Sequence, residues 1–215
     1  MNTPNFWKFF EADAYPNLAI RQHSLRYVFE HLDRKNGPVF IVETGCVRKA
    51  NHWGDGQSTV LFDRFASQWP GSAMYSVDID ANATALCKTL VSSMPQIHTG
   101  DSVSFLRHLA KNPPDRFRHL DVLYLDSYDI DFANPHLSAL HHMKELVAAS
   151  SLIDPDTLLV IDDSPLEGIF IQSEKNVRFV TQPEISGKGK YIAAYAKTIG
   201  LTPVFTGYQA GWIGF

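Results

Sequence analysis

The sequence predicts an α/β domain: a mainly parallel sheet covered by helices on both faces and closed by an antiparallel hairpin. Three observations lead there. Short, nearly continuous apolar runs recur along the chain, which is how strands buried on both faces read. Longer stretches between them carry apolar residues at helical spacing. Near the end, two short runs flank a glycine-bounded turn.

Taken in order, residues 6–32 read as one or two helices laid against the body. Pro38-Val39-Phe40-Ile41-Val42 is the first strand, and the spacing of Val60, Leu61, Phe62, Phe65 and Ala66 predicts a helix over 58–69. Ala73-Met74-Tyr75-Ser76-Val77 is the second strand, and Asp80 is a good N-cap for a helix over 82–92. Gln96-Ile97-His98 fits a short strand nearer the edge. Val103, Phe105, Leu106 and Leu109 then mark a helix over 102–110. Asp121-Val122-Leu123-Tyr124-Leu125 and Thr157-Leu158-Leu159-Val160-Ile161 are further strands. Between them a helix over 135–150 carries Leu137, Leu140, Met143, Leu146 and Val147. Residues 164–186 show no clear pattern and are expected to form a flap over the site. A helix over 187–200 precedes the hairpin runs Thr202-Pro203-Val204-Phe205-Thr206 and Gly211-Trp212-Ile213-Gly214-Phe215.

The chain has 215 residues, enough for one domain: a helical extension over 1–36 and a catalytic core over 37–215. With 45% hydrophobic and 20% charged residues it is too apolar for disorder. A net charge of -4 and the lack of any Lys/Arg run argue against a nucleic-acid partner. Cys46 and Cys87 have no CxxC spacing, so neither a disulfide framework nor a zinc site is expected. The N-terminus lacks a basic region followed by an apolar run. No signal peptide, no membrane span and a cytoplasmic setting are therefore the expectation. The sequence does not choose between a monomer and a homodimer.

In an open α/β sheet, ligands bind outside the carboxyl ends of the strands. Glu43-Thr44-Gly45-Cys46 and Gly54-Asp55-Gly56-Gln57-Ser58-Thr59 follow the first strand. Glycines there let backbone approach a ligand, and Ser58 or Thr59 can cap the next helix with N–H groups facing it. The insert over 47–53 separates the two glycine groups, and a long turn needing glycine would read the same way. In Val77-Asp78-Ile79-Asp80, Asp78 can accept hydrogen bonds from both ribose hydroxyls, while Asp80 reads as a cap. In Gly100-Asp101-Ser102, Asp101 or Ser102 can meet an adenine amino group or cap the following helix. Asp126 and the pair Asp162-Asp163 sit at adjacent strand tips, where carboxylates repel unless a cation or proton is shared. Such a trio suits Mg²⁺ or a similar hard cation, and solvated strand-end acids are the blander reading. His136, His141 and His142 share one helix and are assigned as ligands of nothing. His52 and Trp53 either cover a cofactor or pack within their loop.

Val42-Glu43-Thr44-Gly45, Val77-Asp78-Ile79-Asp80, Gly100-Asp101-Ser102 and the strand ending in Leu125-Asp126 resemble, in order and spacing, class I S-adenosylmethionine-dependent methyltransferases. The likeness covers roughly residues 39–215. It implies a Rossmann-like three-layer sandwich whose seven-stranded sheet has the order 3-2-1-4-5-7-6. It also implies S-adenosyl-L-methionine held by Glu43, Thr44, Gly45, Ser58, Asp78, Asp101, Ser102 and Asp126, and a small-molecule methyl acceptor. Asp126 with Asp162-Asp163 is further similar to the metal-dependent small-molecule O-methyltransferases of the catechol and macrocin type. By that likeness the three are ligands of Mg²⁺ or another divalent ion, and a base just past the first ligand takes the acceptor's hydroxyl proton. Catechol enzymes place a Lys three positions on. Here that position is Asp129, as in antibiotic-sugar enzymes, with Asp131 behind it, which points to a sugar or natural product. The competing readings are a metal-independent methyltransferase, an NAD- or nucleotide-binding Rossmann oxidoreductase, and a non-catalytic binding module that keeps the cofactor pocket. The missing tight GxGxxG and the terminal hairpin disfavour the oxidoreductase.

Overall fold

Five apolar runs become parallel strands in the computed structural model, which describes residues 2–55, 57–117, 119–166, 169–172, 177–180 and 183–215. They are β1 (Phe40–Thr44), β2 (Ala73–Asp78), β3 (Gln96–Thr99), β4 (Val122–Leu125) and β5 (Leu158–Ile161). Two short strands, β6 (Ile169–Gln172) and β7 (Val177–Val180), pair antiparallel outside the main sheet. The last strand, β8 (Ala210–Ile213), runs antiparallel to β5. The main sheet is therefore ordered β3-β2-β1-β4-β5-β8.

The expected seventh strand is a correction. Thr202-Pro203-Val204-Phe205-Thr206 reaches only an isolated bridge, Phe205 to Gly211. Val204 N–H donates to Gly211 at 2.8 Å, but Pro203 has no N–H with which to extend the ladder. The expected flap over 164–186 falls in part on residues outside those described.

Side-chain alternation along each strand divides the core. Ile41, Met74, Val122, Tyr124, Leu158 and Val160 face one layer. That layer holds α1 (Pro4–Phe9), α2 (Gln22–Arg34) and α3 (Ser58–Ala66). Phe40, Val42, Leu123, Leu125, Leu159 and Ile161 face the other. There lie α5 (Ser102–Lys111), α6 (His136–Ala149) and α7 (Lys190–Thr198); α4 (Ala81–Leu90) packs beside β3 through Ala83 and Cys87. Each crossover helix spans two parallel strands, so both sheet faces are buried.

The N-terminal residues are packed rather than draped. Pro4 starts α1 where its missing N–H costs nothing. A π turn and two 3₁₀ turns lead from it into α2. Phe6 packs 4.6 Å from Phe29 and 5.1 Å from Phe65, centroid to centroid. Each such fully buried ring is worth about 1.5–3 kcal/mol. Among the described residues, no helix is long and apolar enough to cross a membrane.

Candidate cofactor cleft and acidic cluster

Strand register explains why residues distant in sequence meet. Thr44 aligns with Val77 and Leu125, and Leu125 aligns with Ile161. The next residues, Gly45, Asp78, Asp126 and Asp162, therefore form a row along the carboxyl edge. Chain order reverses between β1 and β4, the usual position for a ligand crevice. A cleft opens there, lined by Gly45, Cys46, Arg48 and Ser58 from the first loop, and by Asp78 and Asp80 from the second. Gly100, Asp101, Ser102, Asp126, Ser127, Tyr128, Asp129 and His141 also line it.

Two of the row's members are built for close backbone approach. Gly45 has φ 80°, and a Cβ there would meet the Asp126 carbonyl oxygen at 2.6 Å. Asp78 accepts from Cys46 N–H at 3.1 Å and from Asp80 N–H at 2.8 Å, one bond to each oxygen. Both oxygens keep lone pairs for a ligand. Asp80 caps α4 by accepting from Asn82 N–H at 2.8 Å. Asp101 caps α5 through Ser104 N–H at 2.7 Å, and the Ser104 hydroxyl together with that N–H holds its carboxyl below the usual range. Gly56, within the second glycine group, lies outside the described residues. Trp53 packs against the α1–α3 layer instead of lining the cleft.

A second polar chain fixes the floor beneath α6. Ser102 Oγ lies 2.9 Å from His141 Nε2, which lies 3.4 Å from the buried Glu145. Ser127 Oγ donates to Glu145 at 2.6 Å. Burial opposes ionisation of Glu145, but His141, His142 and the two serines outweigh it and hold its carboxyl low. His142 is fully buried and held neutral near 4 by that burial, with Nδ1 against the Ser138 carbonyl. His136 sits at the surface against Tyr191. His141 is the helix histidine that reaches the cleft. Sequence spacing does not single it out, because two histidines on adjacent positions face different ways.

Glu43 and Thr44, expected to help hold the cofactor, lie away from the cleft surface. Both are fully buried behind the cleft wall and do not line it. Thr59 Oγ1 at 2.6 Å and Ser76 Oγ at 2.8 Å donate to the same Glu43 oxygen, and Val47 N–H donates to Thr59. Glu43 therefore ties the start of the insert to β1. Burial pushes its carboxyl up to about 7, against the pull of Ser58, Thr59 and Ser76. In the unfolded chain it ionises near 4.5. The folded state holds a proton in that window, so its contribution is fully present below 4.5 and lost as pH rises through about 7. Glu43→Gln is expected to gain stability relative to wild type between about pH 5 and pH 8, by at most about 3 kcal/mol. Urea denaturation of both proteins at the two pH values checks this, and parallel shifts would refute it. The paired comparison matters because His31 and His142, depressed to about 4 by burial, act in the opposite direction. Their contributions are present above about 6.5 and lost as pH falls through 4.

At the β4 side of the cleft, Asp126, Asp162 and Asp163 offer one oxygen each within 4.8 Å of one another. The three share their surroundings with two cations. Arg21 Nε donates to Asp162 Oδ1 at 2.9 Å and Nη2 to Oδ2 at 2.8 Å, a two-pronged pairing. Gln209 Nε2 adds a bond to Asp162 at 2.8 Å. Lys188 Nζ lies 2.6 Å from Asp126 Oδ1 and 3.0 Å from Asp163 Oδ2. Tyr208 donates to Asp163 Oδ1 at 2.5 Å and stacks under Arg21, 4.7 Å from ring centroid to guanidinium carbon. Burial raises Asp126 well above the usual carboxylate range, with Lys188 opposing it. Burial also works against the charge on Lys188, but Asp126, Asp163 and Asp162 outweigh it and keep the ammonium protonated.

The trio has the donor chemistry of a hard-cation site. Its arrangement does not fit the expected divalent ion. Lys188 stands between two of the three carboxylates, and the third is saturated by Arg21 and Gln209. Asp129, the expected base, lines the cleft. Its side chain is 87% exposed and paired with Arg48 at 2.8 Å, at the rim of the cleft. Asp131, unlike Asp129, is outside the cleft lining. Sequence reading passed over Arg21, Lys188, Tyr208 and Gln209. The one available signal was Gly187-Lys188-Gly189, a lysine between two glycines.

No family model matches the chain, and no curated protein does. Several solved structures resemble it in shape. One is the MycE methyltransferase from the mycinamycin biosynthetic pathway, in complex with Mg, SAH and mycinamycin VI. It aligns at 20% identity and a TM-score of 0.45 over 66% of this chain. This chain spans only 34% of its length. The DhpI–SAH complex aligns at 10% identity and 0.46, over 99% of this chain and 93% of its own. A TehB-like SAM-dependent methyltransferase from Corynebacterium glutamicum ATCC 13032 Kitasato aligns at 12% and 0.46, over 94% and 98%. At such scores the fold assignment stands on the strand order alone. The chain has an α/β, Rossmann-like fold with a six-stranded, mostly parallel sheet and the antiparallel last strand expected of class I methyltransferases.

Proposed function

We propose that the chain is an S-adenosylmethionine-dependent methyltransferase acting on a small hydroxylated molecule, a sugar or natural product. One observation carries this reading: Gly45, Asp78, Asp101, Ser102 and Asp126, from four successive strand ends, line a single cleft at the switch point of the sheet. Gly45 leaves a cradle that a Cβ would fill, which suits a donor pressed against backbone. Asp78 takes the ribose hydroxyls on its free lone pairs. Ser102, steadied by His141, and Asp101 border the adenine. S-adenosylmethionine, when bound, supplies an electrophilic methyl group on a sulfonium. Asp126 is the carboxylate best placed to receive a proton from an acceptor hydroxyl. Its side chain is 23% exposed and lines the cleft, whereas Asp129 lies at the rim in an ion pair. Holding donor and acceptor in line is the main catalytic task for such a displacement, worth up to about 7–11 kcal/mol.

Calorimetric titration with S-adenosylmethionine, NAD and ATP tests the reading. Saturable binding of S-adenosylmethionine is expected, and binding of NAD alone would overturn it. Gly45→Ala is expected to weaken that binding by roughly tenfold or more. The new side chain must hold a left-handed conformation, at about 1–2 kcal/mol, and push against Asp126. Unchanged affinity in a folded variant would remove the loop from the site.

A further inference from the structure

We infer that Lys188 is the built-in cation of the acidic cluster: its ammonium takes the place of a divalent ion between Asp126 and Asp163 and sets Asp126 toward the cleft, so the site holds no metal. The first half stands on geometry alone; the second rests on the methyl-transfer reading.

Lys188 is delivered to this position by its backbone. Its N–H donates to the Asp163 carbonyl at 3.0 Å, anchoring the segment to the tip of β5. Gly187 has φ 61°, and a Cβ there would overlap that same carbonyl oxygen. A Cβ at Gly189 would meet Ser164 Oγ at 2.7 Å. The two glycines thus permit an approach that no other residue type allows. Asp163 itself has φ 44°, a strained conformation that turns its carboxylate back toward Lys188 and Tyr208.

The side chain then leaves little room for a second cation. It is 3% exposed and bonds Asp126 at 2.6 Å and Asp163 at 3.0 Å. It also reaches the Asp126 carbonyl at 3.3 Å. Displacing it would strand a buried ammonium without partners, a heavy penalty. Asp162 cannot turn to help a metal, because both its oxygens are engaged. Only Asp126 Oδ2 has no donor among the described residues, and Asp126 lines the cleft. A divalent ion in addition to Arg21 and Lys188 would overcompensate three carboxylates in a poorly solvated site.

The test is Mn²⁺ titration of the whole chain, read by the electron paramagnetic resonance of free Mn²⁺. Wild type is expected to leave the free-ion signal unchanged. Lys188→Met opens the carboxylates and is expected to take up Mn²⁺, while Lys188→Arg restores a cation and takes up none. Lys188→Gln serves should Lys188→Met fail to fold. Wild-type uptake that disappears in Asp163→Asn would overturn the assignment, as would folded Lys188→Met and Lys188→Gln proteins that take up none. Calorimetry with S-adenosylmethionine on the same samples separates the two halves. Several-fold weaker binding in Lys188→Met with recovery in Lys188→Arg supports the link through Asp126, and equal affinities break it. Failure of wild type to bind the cofactor would sink the methyl-transfer reading and leave the Mn²⁺ result standing.

Discussion

Replacing Arg21 by alanine is expected to lower the stability of the fold by about 3–5 kcal/mol, the usual cost of removing one partner of a buried ion pair. The pair is well desolvated, at 8% and 2% side-chain exposure for Arg21 and Asp162. Burial opposes the Arg21 charge, but the Asp162 carboxylate outweighs it and the guanidinium is held more firmly protonated. Arg21 also donates to the Gly54 carbonyl at 2.9 Å, tying the insert after β1 to the tip of β5. Alanine would leave Asp162 with Gln209 as its sole hydrogen-bonding side chain among the described residues, while Lys188 serves Asp126 and Asp163. Urea denaturation gives the measurement. The double variant Arg21→Met, Asp162→Asn removes both charges and is expected to recover most of the loss, because the penalty lies in the orphaned carboxylate. A loss below about 1 kcal/mol for Arg21→Ala would show the pair to behave as a solvated surface bridge.

Asp78→Ala is expected to weaken S-adenosylmethionine binding by about a hundredfold or more. A carboxylate accepting from two ribose hydroxyls makes charge-assisted bonds worth about 1.5–3 kcal/mol each, and each 1.4 kcal/mol is tenfold. Part of the effect reaches the cofactor indirectly, since Asp78 also holds Cys46 N–H and hence the loop carrying Gly45. Asp78→Asn separates the two, because an amide oxygen can still accept from Cys46 while the charge is gone. Calorimetry should place Asp78→Asn between wild type and Asp78→Ala. Wild-type affinity in both variants would move the ribose away from β2. Asp80 would be a poor substitute, as it is committed to capping α4.

Much of this molecule is legible from its sequence, for an identifiable reason. Strands buried on both faces must be apolar throughout, so β1, β2, β4 and β5 stand out as runs that few other structures produce. Caps are legible because they are local: Asp80 and Asp101 each accept from an N–H two or three residues on. The outer run at 202–206 misled because apolar character suggests a strand while Pro203 limits its pairing. Glu43 is legible only in part. Its place at a strand end is visible, but which side of the loop its carboxylate faces depends on Thr59 and Ser76, brought in by other elements.

The sequence by itself determined the alternation of strands and helices, and with it the edge at which Gly45, Asp78, Asp126 and Asp162 line up. Periodicity and parallel register are properties of short segments and their order. Only the tertiary structure decided which groups pair with the acids. Arg21 reaches Asp162 across 141 residues, and Lys188 reaches Asp126 across 62. Three carboxylates at a strand edge demand positive charge, but electrostatics does not specify its source. Packing supplied it from the turn before α2 and from a glycine-flanked lysine, where the acids alone had suggested a metal.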